Sequence, residues 1–145
     1  MFVEEFLLNK LFLVPLASIL LAGFIKSIIM LISDRRLTLQ GFLSYGGMPS
    51  AHSAAIASIT TAIYFEQGFT ALFFLALVMS SIVVRDSFGL RMQTGQQAQL
   101  INKMNEIFQI DDHKHLKEIM GHTKTQAFFG IILGFVVAWM SYVVF

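Results

Sequence analysis

Long runs of apolar residues restrict what this chain of 145 residues can fold into. A helix that crosses a bilayer needs about 20 mostly apolar residues. Residues 11–32 and 125–145 satisfy this requirement, and residues 69–84 form a shorter but clean run. Residues 51–65 span the membrane only if residues 42–50 help to cross the interface. The sequence therefore predicts an all-α, polytopic bundle of about four transmembrane helices, in a single membrane-embedded domain that covers residues 1–145.

The composition agrees with a membrane environment and excludes several kinds of site. The chain is 56% hydrophobic and 13% charged, whereas soluble domains are about a quarter charged. It contains no cysteine, which excludes disulfides, thiol nucleophiles and cysteine-ligated metals. The net charge of +1 gives no reason to expect a nucleic-acid partner.

The basic residues are concentrated in two of the three links between the predicted spans. The remaining link, residues 66–68 between the second and third spans, is short, so these two spans form a tight antiparallel hairpin. With four spans, the two basic links lie on one membrane face. They carry Arg35, Arg36, Arg85, Arg91, Lys103, Lys114, Lys117 and Lys124. Because basic links stay in the cytoplasm, we expect a multi-pass protein of the cytoplasmic membrane with this face inside.

Two patterns concern how the helices pack. Residues 92–108 are polar, but apolar residues recur among them at helical spacing. They predict either a helix lying in the membrane interface or a loop helix packed on the bundle.

Gly130, Gly134 and Ala138 are spaced by four, and such small residues let helices approach closely in lipid. This stripe predicts either packing within the monomer or a homodimer.

The string GGMPSAHSA at residues 46–54 is the first candidate for a functional motif. Gly46, Gly47 and a proline precede a helix for which Ser50 is a suitable N-cap. The N–H groups and the dipole of a helix N-terminus bind anions, phosphate above all. His52, in the first turn, could transfer protons near neutral pH. The alternative is an ordinary capped helix start with an interfacial histidine.

Charged residues at membrane depth provide the second candidate. Asp86 and Arg91 lie at the end of the third span, and Lys26 lies inside the first. Lys26 is six residues from the basic end of its span, which is about 9 Å. Buried charges are costly in a bilayer and often functional, and arginine matches phosphate oxygens. The alternative is snorkelling of long side chains to the interface.

The string KEIMGHT at residues 117–123 is the third candidate. If it is helical, Glu118 and His122 lie on one face. A carboxylate that accepts from one ring nitrogen leaves the other free as a nucleophile or base. The alternative is a surface ion pair near a helix end. The neighbouring DDHKH cluster, residues 111–115, could bind a metal, but we interpret it as a solvated loop and predict no metal site.

The predicted topology brings these candidates to the same end of the bundle. Lys26 lies in the cytoplasmic half of the first span, and residues 46–52 open the second span from that side. The third span ends there at residues 85–91, and residues 118–122 precede the fourth. Scattered surface charges would not be expected to converge in this way, so we predict one polar site at the cytoplasmic face.

In this order, GGMPSAHSA, RDSFGLRMQTGQQAQLIN and GHT before a glycine-containing helix resemble the divergent branch of the type 2 phosphatidic acid phosphatase family, which is related to vanadium-dependent haloperoxidases. The resemblance covers the chain from about Lys26 onward. Members of the main family hydrolyse phosphomonoesters and pyrophosphates, many of them lipids. They do so through a phosphohistidine, with no cofactor and no obligatory metal.

The resemblance implies a role for each candidate residue. Lys26 looks like the lysine of the family's first motif and Arg91 like the arginine of its third. Ser50 and His52 look like part of the second motif, in which Ala51 stands where glycine is usual. His122 looks like the nucleophile and Glu118 like the acid that orients it, although in the main family an aspartate follows the histidine. Asp86 has no counterpart in the main family.

The resemblance and the residues together predict a lipid-phosphate phosphatase at the cytoplasmic face. The expected substrate is a phosphomonoester such as phosphatidylglycerophosphate or phosphatidate, rather than a prenyl pyrophosphate recycled on the outer face. One alternative is a membrane scaffold or lipid-binding protein without turnover, because the third motif is split. A haloperoxidase-like enzyme that holds vanadate in the same pocket is a further alternative.

Overall fold

The computed structural model describes residues 8–34, 47–109, 115–118 and 120–144. These residues form helices and no strand, which confirms the predicted all-α class. In chain order the helices are α1 (Lys10–Asp34), α2 (Ala51–Gln67), α3 (Ala71–Phe88), α4 (Leu90–Phe108) and α5 (Lys124–Val143). Gly46, Arg35, Arg36 and residues 111–114 of the DDHKH cluster lie outside the described residues.

Among the described residues, three helical stretches are long and apolar enough to cross a membrane. They are Lys10–Ser33, Ala71–Phe108 and Lys124–Val143. The second of these joins α3 to α4, which are separated at Gly89. Helix α2 is shorter, with 17 residues, or about 26 Å. It lies at the centre of the bundle, in contact with α1, α3 and α5.

Short polar side chains fix where the helices begin. The Ser50 hydroxyl accepts a hydrogen bond from the Ser53 N–H, which confirms Ser50 as the N-cap of α2. Thr70 caps α3 in the same way. Thr123 starts α5 with a capping box, in which its hydroxyl and the Gln126 side chain each bond the other residue's backbone N–H. Such caps satisfy N–H groups that have no acceptor within the helix.

Helices α2 and α5 approach so closely that glycine is required between them. A Cβ atom at Gly130 would overlap the Ser50 backbone, and one at Gly134 would overlap the backbone of Ala54. The stripe of small residues on α5 is therefore buried within the monomer. A homodimer would need a different surface.

The predicted hairpin of α2 and α3 is confirmed, and hydroxyl groups join its two arms. Only residues 68–70 separate the helices. The Thr60 and Ser80 hydroxyls lie 2.7 Å apart across the hairpin. This register places the start of α2 beside the end of α3.

A second set of polar contacts ties the opposite end of the bundle, where α2 ends. The Lys10 ammonium donates to the Ser141 carbonyl at 3.2 Å and lies 4.8 Å from the centre of the Tyr142 ring. The Tyr142 hydroxyl and Glu66 Oε1 are 2.5 Å apart. Helices α1, α2 and α5 are thereby linked at this end.

Candidate functional site

Two backbone hydrogen bonds bring the candidate segments together at the start of α2. The His122 N–H donates to the Ser87 carbonyl at 2.8 Å, which joins the segment before α5 to the end of α3. The Ser50 N–H donates to the Gln126 carbonyl at 3.1 Å, which joins the start of α2 to the first turn of α5. These contacts involve main-chain atoms, so the close approach of the three segments does not depend on flexible side chains.

His122 is held in a defined orientation inside this junction. Its side chain is buried, and Nδ1 lies 3.2 Å from the Gly47 carbonyl oxygen. Because a carbonyl can only accept, Nδ1 carries the proton and Nε2 carries the lone pair of the neutral ring. The Gln126 side chain lies close enough to the ring to influence its pKa. A neutral histidine with a fixed tautomer can act as a nucleophile or as a base.

Burial lowers the pKa of the His122 ring below its ordinary value, and the positive charge of Lys26 lowers it further. The hydrogen bond to Gly47 and the nearby Gln126 side chain act in the opposite direction but do not reverse the shift. The neutral form of the ring is therefore favoured at physiological pH.

Lys26 reaches the same junction from α1. The residue is only 4% exposed, which is unusual for lysine. Its aliphatic stem lies against Gly47, where an added Cβ would be 3.2 Å from Lys26 Cδ. Gly47 also has a φ of +80°, a conformation that favours glycine. Gly47 thus both accepts from His122 and leaves space for Lys26.

His52 and the Asp86–Arg91 pair complete the cluster. The exposed ring of His52 lies in the first turn of α2 and interacts electrostatically with Arg91, Lys26 and Asp86. Arg91 Nε donates to Asp86 Oδ2 at 2.7 Å across the break between α3 and α4. Both side chains are partly exposed. Asp86 therefore fixes the guanidinium of Arg91 on the side of the cluster where His52 lies.

Ser50 is buried, so it acts through the helix start rather than through an exposed hydroxyl. Its Oγ accepts from the Ser53 N–H and hydroxyl, and its carbonyl accepts from the Ala54 N–H. The N–H groups of Ala51 and His52 also belong to the first turn, where a helix supplies no acceptor of its own. Such groups at a helix N-terminus can bind an anion.

The predicted helical pairing of Glu118 with His122 is wrong. Residues 115–118 and 120–123 are not helical, and Gly121 has a φ of +83°. Glu118 Oε1 instead accepts from Asn102 Nδ2 at 2.9 Å. The physical reason is that Gly121 turns the chain, so the spacing of four residues does not place the two side chains on one face. The ring of His122 is oriented by a backbone carbonyl.

Helix α4 supports the segment that carries His122. The Asn102 side chain, which is buried, donates to the Leu116 carbonyl at 2.8 Å and accepts from the Leu116 N–H at 2.9 Å. Close backbone contacts add to this support. A Cβ at Gly95 would lie 2.6 Å from the Glu118 carbonyl, and one at Gly121 would lie 2.6 Å from the Met92 nitrogen. This helix therefore serves as a platform for the His122 segment.

Several residues of the site were not anticipated from the sequence. Ser87 and the Gly47 carbonyl act through backbone atoms, which side-chain chemistry does not indicate. Gln126 could have been found, because Thr123 followed by a glutamine three residues later is a capping-box pattern. Asn102 lies on the buried side of an amphipathic helix, a position at which a polar residue usually has a specific partner.

Comparison with known proteins agrees with this arrangement of motifs. The sequence profile of the Divergent PAP2 family matches residues 7–137. The chain is 35% identical to YuiD, an uncharacterized membrane protein of Bacillus subtilis (strain 168), over 145 aligned residues that cover 90% of this chain and 92% of the relative. No solved structure matches it. The chain therefore belongs to the Divergent PAP2 family.

Proposed function

We propose that this membrane protein is a lipid-phosphate phosphatase that cleaves a phosphomonoester through a phosphohistidine. The observation that carries the proposal is the fixed, buried ring of His122 beside Lys26, His52 and the N-terminus of α2. A nucleophile, a second titratable group and phosphate-binding groups are then present within one cluster. This combination meets the chemical requirements of phosphoryl transfer without a metal.

The phosphate group is held by positive charges and helix N–H groups. Lys26, Arg91 and the first turn of α2 surround the phosphate, and Gly47 shapes the loop beneath it. Asp86 keeps Arg91 in place through the 2.7 Å hydrogen bond. These groups stabilise the charge that spreads over the phosphoryl oxygens during in-line transfer.

The reaction proceeds in two steps that use both histidines. His122 Nε2 attacks phosphorus, a P–N bond forms, and the P–O bond to the lipid breaks while His52 gives a proton to the leaving alkoxide. Water then attacks the phosphohistidine, His52 takes its proton, and inorganic phosphate leaves with the P–N bond broken. Glu118 contributes through the support of the loop, since its carboxylate bonds Asn102.

The site opens toward the cytoplasmic leaflet of the cell membrane in this proposal. The links that carry the cluster residues are rich in basic residues in the sequence, and positive links favour the cytoplasmic side. The substrate is therefore a lipid phosphomonoester of that leaflet, such as phosphatidylglycerophosphate or phosphatidate.

Phosphate release from mixed micelles tests the proposal. The panel contains phosphatidylglycerophosphate, phosphatidate and a prenyl phosphate, each with and without vanadate. We expect release from at least one lipid by the wild type, inhibition by vanadate, and loss of activity in His122→Ala and His52→Ala. His115→Ala is the matched control, because His115 is exposed and lies outside the cluster. If folded wild type binds a lipid phosphate but releases nothing from the whole panel, the protein is a lipid-binding protein and the phosphatase proposal fails.

A further inference from the structure

A groove runs between α2, α3 and α5 within the membrane-spanning part of the bundle. Its volume is about 330 Å³. The lining residues repeat at helical spacing, so each helix contributes one continuous face. On α3 these are Leu77, Ser80, Ser81 and Val84.

Small side chains create this space. Ala57 on α2 and the two serines of α3 leave room that a larger residue would fill, while Ile131 and Phe135 on α5 form the far wall. Helices α3 and α5 have little direct contact because α2 lies between them. The groove is therefore formed by the packing of three helices and not by a loop.

The hydroxyl groups in the groove are already hydrogen-bonded to their own helices. Thr60 donates to the Ile56 carbonyl, Thr61 to Ala57, and Ser81 to Leu77, at 2.8 to 3.0 Å. Ser80 donates to the Ala76 carbonyl at 2.8 Å. Because these donors are satisfied by carbonyls one turn back, the groove does not require a polar ligand. Its chemistry suits a hydrocarbon.

One end of the groove adjoins the phosphate-binding cluster. Ile56 is one helical turn after His52, and Val84 precedes Asp86 by two residues. Ile131 follows Gly130, which packs against the start of α2. One turn of helix is about 5.4 Å, so a chain seated in the groove would place its polar end at the histidines.

We infer that the groove between α2, α3 and α5 binds one hydrocarbon chain of the lipid whose phosphate occupies the His52–His122 cluster. This inference rests on the proposed function and adds a chain-binding site to it. Along α3 the groove extends from Leu77 to Val84, about 10 Å. The first part of the chain is thus held between helices, and the remainder lies among the lipids of the bilayer.

Photolabelling tests this site independently of turnover. The probe is a long alkyl phosphonate with a diazirine in the part of the chain nearest the head, presented to the protein in nanodiscs. Its P–C bond is not hydrolysed. The reference probe is the same chain ending in an uncharged alcohol. After irradiation, mass spectrometry maps the labelled residues.

We expect the phosphonate to label groove residues of α2, α3 and α5, and the alcohol to label mainly the outer faces of the helices. Ser81→Phe fills the groove and should lower labelling about tenfold, the effect of excluding roughly two methylene groups. Val78→Phe is the matched control, because Val78 is exposed on α3 and does not line the groove. Identical maps for the two probes, or equal effects of the two variants, would overturn the inference.

Hydrolysis of butyl phosphate by the same samples separates the two proposals. Its chain is too short to use the groove, so turnover needs only the cluster. Turnover of butyl phosphate without groove labelling would refute the chain site and leave the phosphatase intact. Groove labelling without phosphate release from any substrate would support the chain site and refute the phosphatase.

Discussion

The ring of His122 is positioned by main-chain atoms on both sides of the residue. Its own N–H bonds the end of α3, and its Nδ1 bonds the carbonyl that precedes α2 by four residues. A carbonyl acceptor fixes the tautomer as a carboxylate would, but it brings no negative charge beside the ring. The ring therefore stays easier to deprotonate than a histidine paired with aspartate.

The first prediction concerns the titration of His122. Because burial and the Lys26 charge lower its pKa, we expect an NMR titration midpoint below the ordinary 6.5. In Lys26→Met, which keeps a long apolar stem, the midpoint should rise. In the proposed reaction, the loss of kcat that reflects protonation of the His122 ring should occur at pH values below 6.5. A His122 midpoint above 6.5 in the wild type would contradict this account.

For individual residues, the sequence predicted which side chains lie together better than it predicted their hydrogen-bond partners. Lys26, His52, Asp86, Arg91 and His122 were predicted to meet, and the described residues place them in one cluster. The partner of Glu118 was wrong because the spacing rule applies only within a helix, and Gly121 ends that possibility. The role of the Gly47 carbonyl could not be predicted, since every residue has a carbonyl.

Among the helices, α4 is the one whose contacts were least predictable from the sequence. Apolar residues at helical spacing predicted a helix at 92–108, and the structure has one from Leu90 to Phe108. The periodicity did not indicate what the polar face holds. Asn102 contacts Leu116, which lies 14 residues further along the chain, and Gly95 lies against the still more distant Glu118. Contacts over such separations are not encoded in local spacing.

The second prediction tests the platform formed by α4. Asn102→Ala removes the acceptor of the Leu116 N–H, so the exchange of that amide with deuterium should accelerate. Asn102→Asp keeps the acceptor and should preserve more of the protection. The loss of these part-buried hydrogen bonds costs about 0.5–1.5 kcal/mol each.

Asn105→Ala, in the same helix, is the control and should leave the Leu116 amide unchanged. If Asn102→Ala does not alter exchange at Leu116, then α4 does not hold the His122 segment through this side chain.

The third prediction concerns the contact of α2 with α5. Gly134→Ala places a methyl group against the Ala54 carbonyl and the Ser58 nitrogen. We expect the unfolding free energy to fall by about 1–3 kcal/mol, measured by denaturation in detergent micelles. Val136→Ile adds a methyl group at an exposed position of the same helix and should change it little. Equal stability of both variants would contradict the close packing.

For the molecule as a whole, the number and order of the helices were the most predictable properties. Apolar runs and the short link at residues 66–68 were sufficient to predict the helices and the α2–α3 hairpin. The reason is that backbone groups in lipid must be hydrogen-bonded within the protein, and a helix does this within its own segment. The length of α2 was harder to predict, because many of its residues are alanines and serines that pack against three neighbouring helices. Such a helix carries a weaker apolar signal than one that faces lipid.

The fourth prediction addresses orientation, and the absence of native cysteine makes it simple to test. Gln67→Cys lies at the end of α2 and Gln99→Cys lies on α4, both at exposed positions. A membrane-impermeant maleimide should label the first in intact cells and the second only after permeabilisation. The reverse pattern would move the site to the outer face and exclude lipids of the cytoplasmic leaflet as its substrates.

The contacts of Lys10 and Tyr142 have a mechanical consequence. They clamp α1, α2 and α5 at the end remote from the histidines, whereas α3 packs mainly on α2. Of the helices around the groove, α3 can therefore swing outward with the fewest interactions broken. In the proposed phosphatase, a lipid would then enter sideways from the bilayer past α3, and a crosslink between α3 and α5 would slow turnover of long-chain substrates before it affected short ones.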